Sequence, residues 1–488
     1  MNWSPQQDKI FTWFAAPTPG NLVVRARAGT GKTTTIIEAI SRAPESMILL
    51  AAFNKRIAVE LQSRLTHPGA EAKTLHSVGF GLVMRNWGRV NVDGDRGDRL
   101  SRAACGGDRA PEPIVRVVAK LAALTKNMMP LADDPEQVMG IAVEFDCLPD
   151  SDFVGEGWTD ERVVSCALAA RKAALTRDGS IDFDDMLFVP VAHGWVRGRY
   201  DLVCVDEAQD MNAAQVEIAR RIVRLGGRVV VVGDDRQAIY RFRGADCGSI
   251  DRLKAELEAV ELPLTVTYRC GKAIVAETQR IVPDFEAGPL NGPGEVKGIV
   301  FSALAKAVQP GDFVLSRKNA PLVRTCLSIL RLGKRAKVEG RDIGKGMVTL
   351  VGKLKARSIP DFIGKTTVWE QKSAGRYRAM GKKGEAKLAE LVDQAETLRV
   401  LAAGMAGVRE LIARIEDLFA DGAAGVKGLV VCSSIHKAKG LEADTVYVLW
   451  DTLNAKASKV GEEANLEYVA VTRARNVLVK VEGLPGED

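Results

Sequence analysis

Two parallel-sheet α/β cores in tandem, each interrupted by a mainly α-helical insertion, are the fold that this sequence predicts. Three observations predict it. Short, continuous apolar runs bounded by turn residues recur along the 488-residue chain and suit strands buried on both faces. Helix-patterned stretches separate them, as parallel strands require. Two blocks, 86–178 and 351–424, break that rhythm. The division is therefore a first core at 1–85 and 179–260 with its helical insertion at 86–178. A second core follows at 261–350 and 425–488, with a reduced basic and helical insertion at 351–424. Such a length is too great for one core, and roughly three or four domains are expected.

The elements follow in order. Ser4-Pro5 before Gln6–Phe14 has the chemistry of a capped helix start. Leu22-Val23-Val24 is a buried strand, a helix is expected over Thr33–Ile40, and Met47–Phe53 is a second strand. Ile57, Leu61 and Leu65 then mark one face of a helix. Asn91–Arg102, rich in Gly, Asp and Arg, reads as an exposed excursion, and Ile114, Val117, Val118 and Leu121 carry helical spacing. Strands return at Leu202–Val205 and Val229–Val232. Leu262–Tyr268 starts the second region, which continues with Gly298–Phe301, Phe313–Ser316, Leu429–Cys432, Val446–Leu449 and Val477–Val481. Gly344-Lys345-Gly346 reads as a turn. From Lys353 to Lys387 there are ten Lys or Arg against three acidic residues, with Trp369 and Tyr377 among them. That run is a solvated helix face or a nucleic-acid contact.

Composition bounds the chemistry. With 46% hydrophobic and 27% charged residues, disorder is not expected. The 68 basic and 62 acidic residues leave +6, compatible with a polyanion partner. Eight scattered cysteines without a C-x-x-C pair, and four histidines in all, argue against a zinc site or a disulfide framework. The start, Met1-Asn2-Trp3-Ser4-Pro5, lacks a basic end followed by an apolar run, so no signal peptide is expected. No run approaches the ~20 apolar residues that span a bilayer. A reduced, cytoplasmic protein without membrane contact is expected.

Three stretches carry chemistry. Arg25–Thr34 (R-A-R-A-G-T-G-K-T-T) lies between an apolar strand and a helix, where a small-residue loop wraps its N–H groups around an anion. Ala26 stands at the first glycine position of the strict pattern. Ala28, Gly29, Thr30, Gly31 and Thr34 form the cradle, Lys32 reaches the outer phosphates, and the Thr33 hydroxyl is placed for Mg²⁺. Val203–Asp210 sets Asp206 and Glu207 at the carboxyl end of a strand, where ligands of parallel sheets gather. Asp206 suits Mg²⁺ and Glu207 suits an attacking water. After Val229–Val232, Gln237 is suited to sensing a γ-phosphate. Phe242 and Arg243 offer a stacking ring and a planar cation to a single-stranded base and backbone.

The series resembles the superfamily 1 helicases of the UvrD, PcrA and Rep type, in their order and over nearly the whole chain. Gln6 resembles the adenine-reading glutamine, and Ala28–Thr33 the first helicase motif. Phe53-Asn54-Lys55 and Thr74-Leu75-His76-Ser77 resemble two DNA-contacting motifs. Ile181–Leu187 is similar to the F-D-D-L-L segment, Asp206–Asp210 to D-E-x-Q-D, and Gly233–Ala245 to the third motif. Thr267-Tyr268-Arg269 resembles N-Y-R, which implies Tyr268 on adenine and Arg269 on the γ-phosphate. Ser434–Glu442 resembles T-x-H-x-x-K-G-L-E, implying His436 at DNA and Gly440 and Glu442 at the nucleotide. Glu463–Ala474 is similar to the last motif, with Arg473 as a second arginine finger. Phe242 replaces the usual Trp, Thr267 the usual Asn and Ser434 the usual Thr. About 90 residues separate Gly340–Gly344 from His436, too few for the family's full second insertion.

The resemblance implies two RecA-like P-loop cores, ATP and Mg²⁺ as cofactors, and Lys32, Glu207, Gln237, Arg269 and Arg473 as catalytic residues. It implies single-stranded DNA and single/double-strand junctions as partners, and 3′ to 5′ movement coupled to strand separation. A monomer suffices for this. The short second insertion leaves an alternative open: an ATP-gated single-strand translocase or protein-displacing accessory without duplex unwinding. A P-loop kinase leaves the arginine motifs of the second core without explanation.

Overall fold

The computed structural model describes residues 3–16, 20–128, 131–149, 153, 157–239, 249–379, 384–420, 428–453 and 461–484. The chain forms two compact units, Met1–Thr265 and Val266–Asp488, each built on its own parallel sheet.

Six strands make the first sheet: β1 (Leu22–Ala26), β2 (Ile48–Ala52), β3 (Ala70–Thr74), β4 (Tyr200–Val205), β5 (Val223–Gly233) and β6 (Val260–Leu264). Their order is β3-β2-β4-β5-β1-β6, with every pair parallel. Alternate residues of the apolar runs go to opposite faces. Val23, Val203 and Val231 join one core, while Val24, Cys204, Val230 and Val232 join the other. Burial on both faces is why the inner strands β1, β2, β4 and β5 carry continuous apolar runs rather than alternating ones. The order puts the carboxyl ends of β4, β5 and β1 side by side, which decides where the chemistry falls.

Helices fill both faces. Pro5–Ala15 starts at Ser4, whose side chain accepts from Gln7 N–H while the Gln7 side chain bonds Ser4 N–H. Lys32–Ser41 follows β1, Lys55–Arg64 is capped by Asn54, and Leu75–Trp87 by Thr74. Arg228, 3% exposed, fastens the end of the first helix to β5 by donating to the carbonyls of Trp13, Phe14 and Ala16, with Glu45 as its counter-ion.

The insertion holds helices at Arg96–Ala104, Glu112–Met128, Pro135–Glu144 and Asp160–Ala173 around its own core. Asn91–Val92 pairs in parallel with Ser180–Ile181 where the chain leaves and re-enters. Of residues 91–102, Arg96 and Ser101 are buried and the rest are exposed or half-buried, as their composition suggests. Arg96 is fully buried, bonded to Asp185, to Asp178 at 3.2 Å, and to the carbonyls of Ala174 and Thr176. Lys126 lies 2.7 Å from Asp185. The charges are internal because they are paired.

The second sheet has seven parallel strands: β7 (Glu295–Val300), β8 (Phe313–Ser316), β9 (Ala336–Glu339), β10 (Phe419–Ala420), β11 (Val430–Ser434), β12 (Ala443–Leu449) and β13 (Ala474–Glu482). Their order is β7-β13-β12-β8-β11-β9-β10.

Two expectations are corrected. The boundary falls at Thr265/Val266 rather than at 260/261, because Val260–Leu264 pairs with β1 through Leu262↔Val24 as an edge strand of the first sheet. Gly344–Gly346 is no turn but part of the helix Arg341–Leu354. Within the segment read as the second insertion, the helices Ile359–Ala379, Glu385–Ala402 and Val408–Leu418 pack on the second sheet: Phe362, Leu398, Leu401, Leu411 and Ile415 share one apolar cluster with Val314, Val338 and Val430. Phe419, which follows the last of these helices, pairs with Val338 as strand. Among the described residues no helix is long and apolar enough to cross a membrane.

Candidate functional site

The loop after β1 is shaped by two glycines in the left-handed region, Gly29 (φ 69°) and Gly31 (φ 75°), where a side chain would strain the backbone. Gly31 is also the N-cap of Lys32–Ser41 and provides no side-chain cap, so the first N–H groups of that helix stay open to an anion. Thr30 Oγ1 donates to the Arg27 carbonyl at 2.9 Å, and Ala28 is buried beneath the loop.

The neighbouring strand ends complete the site. Lys32 Nζ lies 3.0 Å from Glu207 Oε2, with side chains 11% and 32% exposed. Thr33 Oγ1 donates to Asp206 Oδ2 at 3.2 Å, and Glu207 N–H donates to Asp206 Oδ1 at 2.9 Å. Glu207 itself has φ 54° and ψ 41°, a left-handed conformation that costs a non-glycine residue ~1–2 kcal/mol and tends to persist where function demands it. Gln237 donates through Nε2 to Asp234 Oδ2 at 2.6 Å. Lys32, Thr33, Asp206, Glu207 and Gln237 thus gather at one edge of the first sheet.

The electrostatics are those of acids crowded around a cation. Burial pushes the Asp206 carboxyl up to about 6, with Glu207 adding to the effect and Lys32 and two hydrogen bonds opposing it. Burial likewise raises Asp234 against the pull of Lys32 and Arg27. For Lys32, burial favours the neutral form, but Glu207, Asp234 and Asp206 outweigh it and its pKa is raised.

Residues that sequence reasoning missed tie this edge together. Gln209, fully buried, donates to Glu207 Oε2 at 2.5 Å and accepts from Asp234 N–H at 3.0 Å. Arg27 lies 2.7 Å from Asp235 Oδ1, and Arg25 bonds Glu261 at 2.8 Å and Asp235 at 3.2 Å. The available signal was two arginines, Arg25 at the end of β1 and Arg27 in the small-residue loop after it, with a D-D pair one strand-end away.

Other expected residues lie elsewhere in each unit. Gln6 donates to Thr265 Oγ1 at 2.8 Å and accepts from Thr265 N–H at 2.9 Å. Thr34 Oγ1 accepts from Arg64 at 3.1 Å. Phe53 is 46% exposed, and Asn54 Oδ1 accepts from Ile57 N–H at 2.9 Å. His76 is half-buried, with burial lowering its pKa against Asp184. Phe242 and Arg243 lie outside the described residues.

In the second unit Tyr268 is 48% exposed, and Arg269 Nε meets Glu442 Oε2 at 2.5 Å. Asn291 donates to the carbonyls of Thr267 (2.9 Å) and Cys270 (2.7 Å), bracketing Tyr268 and Arg269. Arg473 is buried and donates to the carbonyls of Val469 (3.0 Å) and Leu441 (3.1 Å). Burial, then the nearby Arg269, brings its pKa down to about 10. His436 is half-buried in the turn after β11, and Gly440 is exposed with φ 84°.

A buried parallel sheet with a glycine-shaped anion loop at one strand end and paired carboxylates at the next defines a P-loop nucleotide-binding fold, here as the first of two RecA-like cores. The family model for the UvrD/REP helicase N-terminal domain matches residues 3–258, and that for the UvrD-like helicase C-terminal domain matches 429–479. The first match alone covers more than half of the chain, which belongs to the UvrD/REP helicase family.

Among curated relatives, the ATP-dependent DNA helicase PcrA of Bacillus subtilis is 27% identical over 57% of this chain and 39% of its own length. A probable DNA helicase II homolog of Mycoplasma pneumoniae is 25% identical over 60% of this chain and 44% of its own. F-box DNA helicase 1 of Gallus gallus is 24% identical over 94% of this chain and 47% of its own. The chain spans less than half the length of each of these three.

Proposed function

We propose that this chain is an ATP-dependent DNA helicase or translocase that moves 3′ to 5′ along single-stranded DNA and acts at single/double-strand junctions. The observation that carries the reading is the meeting of Lys32, Thr33, Asp206 and Glu207 within 3.0–3.2 Å, beside Gln237, at the edge where the phosphate loop opens.

The Lys32–Glu207 pair suggests how arrival of ATP starts the chemistry. Phosphate oxygens compete with Glu207 for the Lys32 ammonium. A Glu207 carboxylate relieved of Lys32 becomes an acceptor for a water proton, while the loop N–H groups hold the phosphates and Gln237 reads the terminal one. Mg²⁺ suits the pair Thr33 and Asp206, since it usually takes one or two protein oxygens and completes its shell with water and phosphate. When bound it neutralises phosphate charge. The family resemblance assigns Arg269 and Arg473 to the γ-phosphate, where such guanidinium groups are worth ~10³–10⁵ in rate. Arg269 is proposed for the direct contact and Arg473, spent on two carbonyls, for its support. Tyr268 and Gln6 are proposed for adenine. Phe53, Asn54, His76, Phe242, Arg243 and His436 are proposed for DNA.

One observation favours the second reading, a translocase that displaces bound proteins without unwinding. Among the described residues, the helices of 359–418 send Phe362, Leu398, Leu411 and Ile415 into the apolar core of the second sheet rather than standing away from it. Strand displacement on 3′-tailed, 5′-tailed and blunt duplexes separates the two. Unwinding of the 3′-tailed duplex alone supports the helicase. ATP-driven removal of a bound protein with no unwinding supports the translocase, and unwinding from a 5′ tail overturns the polarity.

A further inference from the structure

Arg27 is a second cation in the phosphate loop, and the hydrolysis proposed above makes no use of it. Its side chain is enclosed, with Nη1 2.7 Å from Asp235 Oδ1 and 3.4 Å from Asp234 Oδ1. Its backbone is fixed as well, the N–H donating to the Leu264 carbonyl at 2.9 Å and the carbonyl accepting from Thr30 Oγ1. Asp234 is fully buried and presents its other oxygen to the Gln237 amide at 2.6 Å. From Asp234 N–H the bonds run to Gln209, from Gln209 to Glu207 and from Glu207 to Lys32, so both ends of the loop join one ring. Gly233 permits this closeness, since a Cβ there would stand 2.5 Å from Gln209 Oε1.

Resting on the ATPase reading, we infer that Arg27 is a positioning residue for hydrolysis: it holds Asp234, Asp234 holds the Gln237 amide, and the sensor thereby moves with the phosphate loop. The physical need arises on nucleotide binding. Asp234 faces both Lys32 and Arg27. Once phosphates take the Lys32 ammonium, Arg27 is, among the described residues, a cation that stays beside this fully buried carboxylate and helps keep it charged and fixed. Asp235 Oδ1, which Arg27 Nη1 meets at 2.7 Å, is also held by Arg25 at 3.2 Å, so the carboxylate that anchors Arg27 is itself fixed.

The test is steady-state ATPase kinetics on the full chain, with melting temperature followed alongside. Arg27→Gln is expected to lower kcat by ~10²-fold, the scale of a misplacement near 1 Å, while KM for ATP stays near the parent's. Arg27→Lys, which keeps charge but loses the fork, should recover part of that loss. In a Gln237→Ala background the Arg27→Gln change should cost little more, since both act through one amide. A raised KM with unchanged kcat, parent-like kinetics, or full additivity with Gln237→Ala overturns the inference. If Arg27→Gln does not fold, the same cycle with Arg27→Lys decides on the same criteria. Lys32→Ala is the control for the underlying reading. Parent-like turnover in Lys32→Ala sinks the ATPase assignment itself, whereas an inactive Lys32→Ala beside a parent-like Arg27→Gln sinks only the role of Arg27.

Discussion

Replacing Lys32 by Met tests the electrostatics of the site without any nucleotide. The ammonium faces Glu207 at 3.0 Å and also the buried carboxylates of Asp206 and Asp234. Removing one partner of a fully buried ion pair costs ~3–5 kcal/mol. Glu207 keeps 32% of its side-chain exposure, so water takes up part of the loss and about 2–3 kcal/mol is expected at pH 8. For a unit of this size that lowers the melting temperature by ~4–10 °C. The loss must also shrink on acidification. Asp206 is already pushed up to about 6 in the parent, and without Lys32 it rises further above its unfolded value. The folded variant then binds protons that the unfolded chain does not, so its stability climbs as pH falls through 6, more steeply than the parent's. Thermal melts of both proteins at pH 8 and pH 5.5 check this. A deficit that is absent at pH 8, or no smaller at pH 5.5, would refute the reasoning.

Three further outcomes are expected. Arg96→Met strands Asp185, which is wholly buried with Lys126 as its other cation, and should cost ~3–5 kcal/mol in a denaturant titration. Phe362→Ala should destabilise the second unit by ~3–5 kcal/mol, because the ring belongs to the core of the sheet; an unchanged transition would mean that its helix is an appendage. Changing Lys353, Lys365 and Lys372 to Gln should reduce the salt slope of single-strand binding by ~0.7 for each lysine that touches phosphate, and an unchanged slope makes this basic run a solvated surface.

What was legible in the sequence was what depends on local pattern. β1, β4, β5 and β8 each contain an unbroken apolar run (Leu22–Val24, Leu202–Val205, Val229–Val232 and Phe313–Leu315), and such a run, buried on both faces, has no polar residue to disguise it. The phosphate loop was legible because its glycines are needed where they stand. β3 was hidden: Glu71 and Lys73 alternate with Ala70 and Ala72, an edge pattern too weak to read without its partner β2. Partners also decided the fate of charge. Asp and Gly around Arg96 look like loop, yet Asp185, 89 positions away, takes the guanidinium into the interior. The same holds for Arg27 and Asp234, 207 positions apart, whose contact exists only once β5 lies beside β1. In the second unit, Phe362 and Leu398 carry ordinary helix patterning, and nothing local says that the sheet is what they cover.

The most direct measurement is ATP turnover by Glu207→Gln, with and without single-stranded DNA, next to the parent chain. Amide in place of carboxylate keeps the shape around Lys32 and Gln209 but cannot accept a proton from water. The account predicts a parent stimulated by single strands and a variant that still binds nucleotide yet turns over almost none, whether DNA is present or not. Stimulated hydrolysis that survives in Glu207→Gln would contradict it.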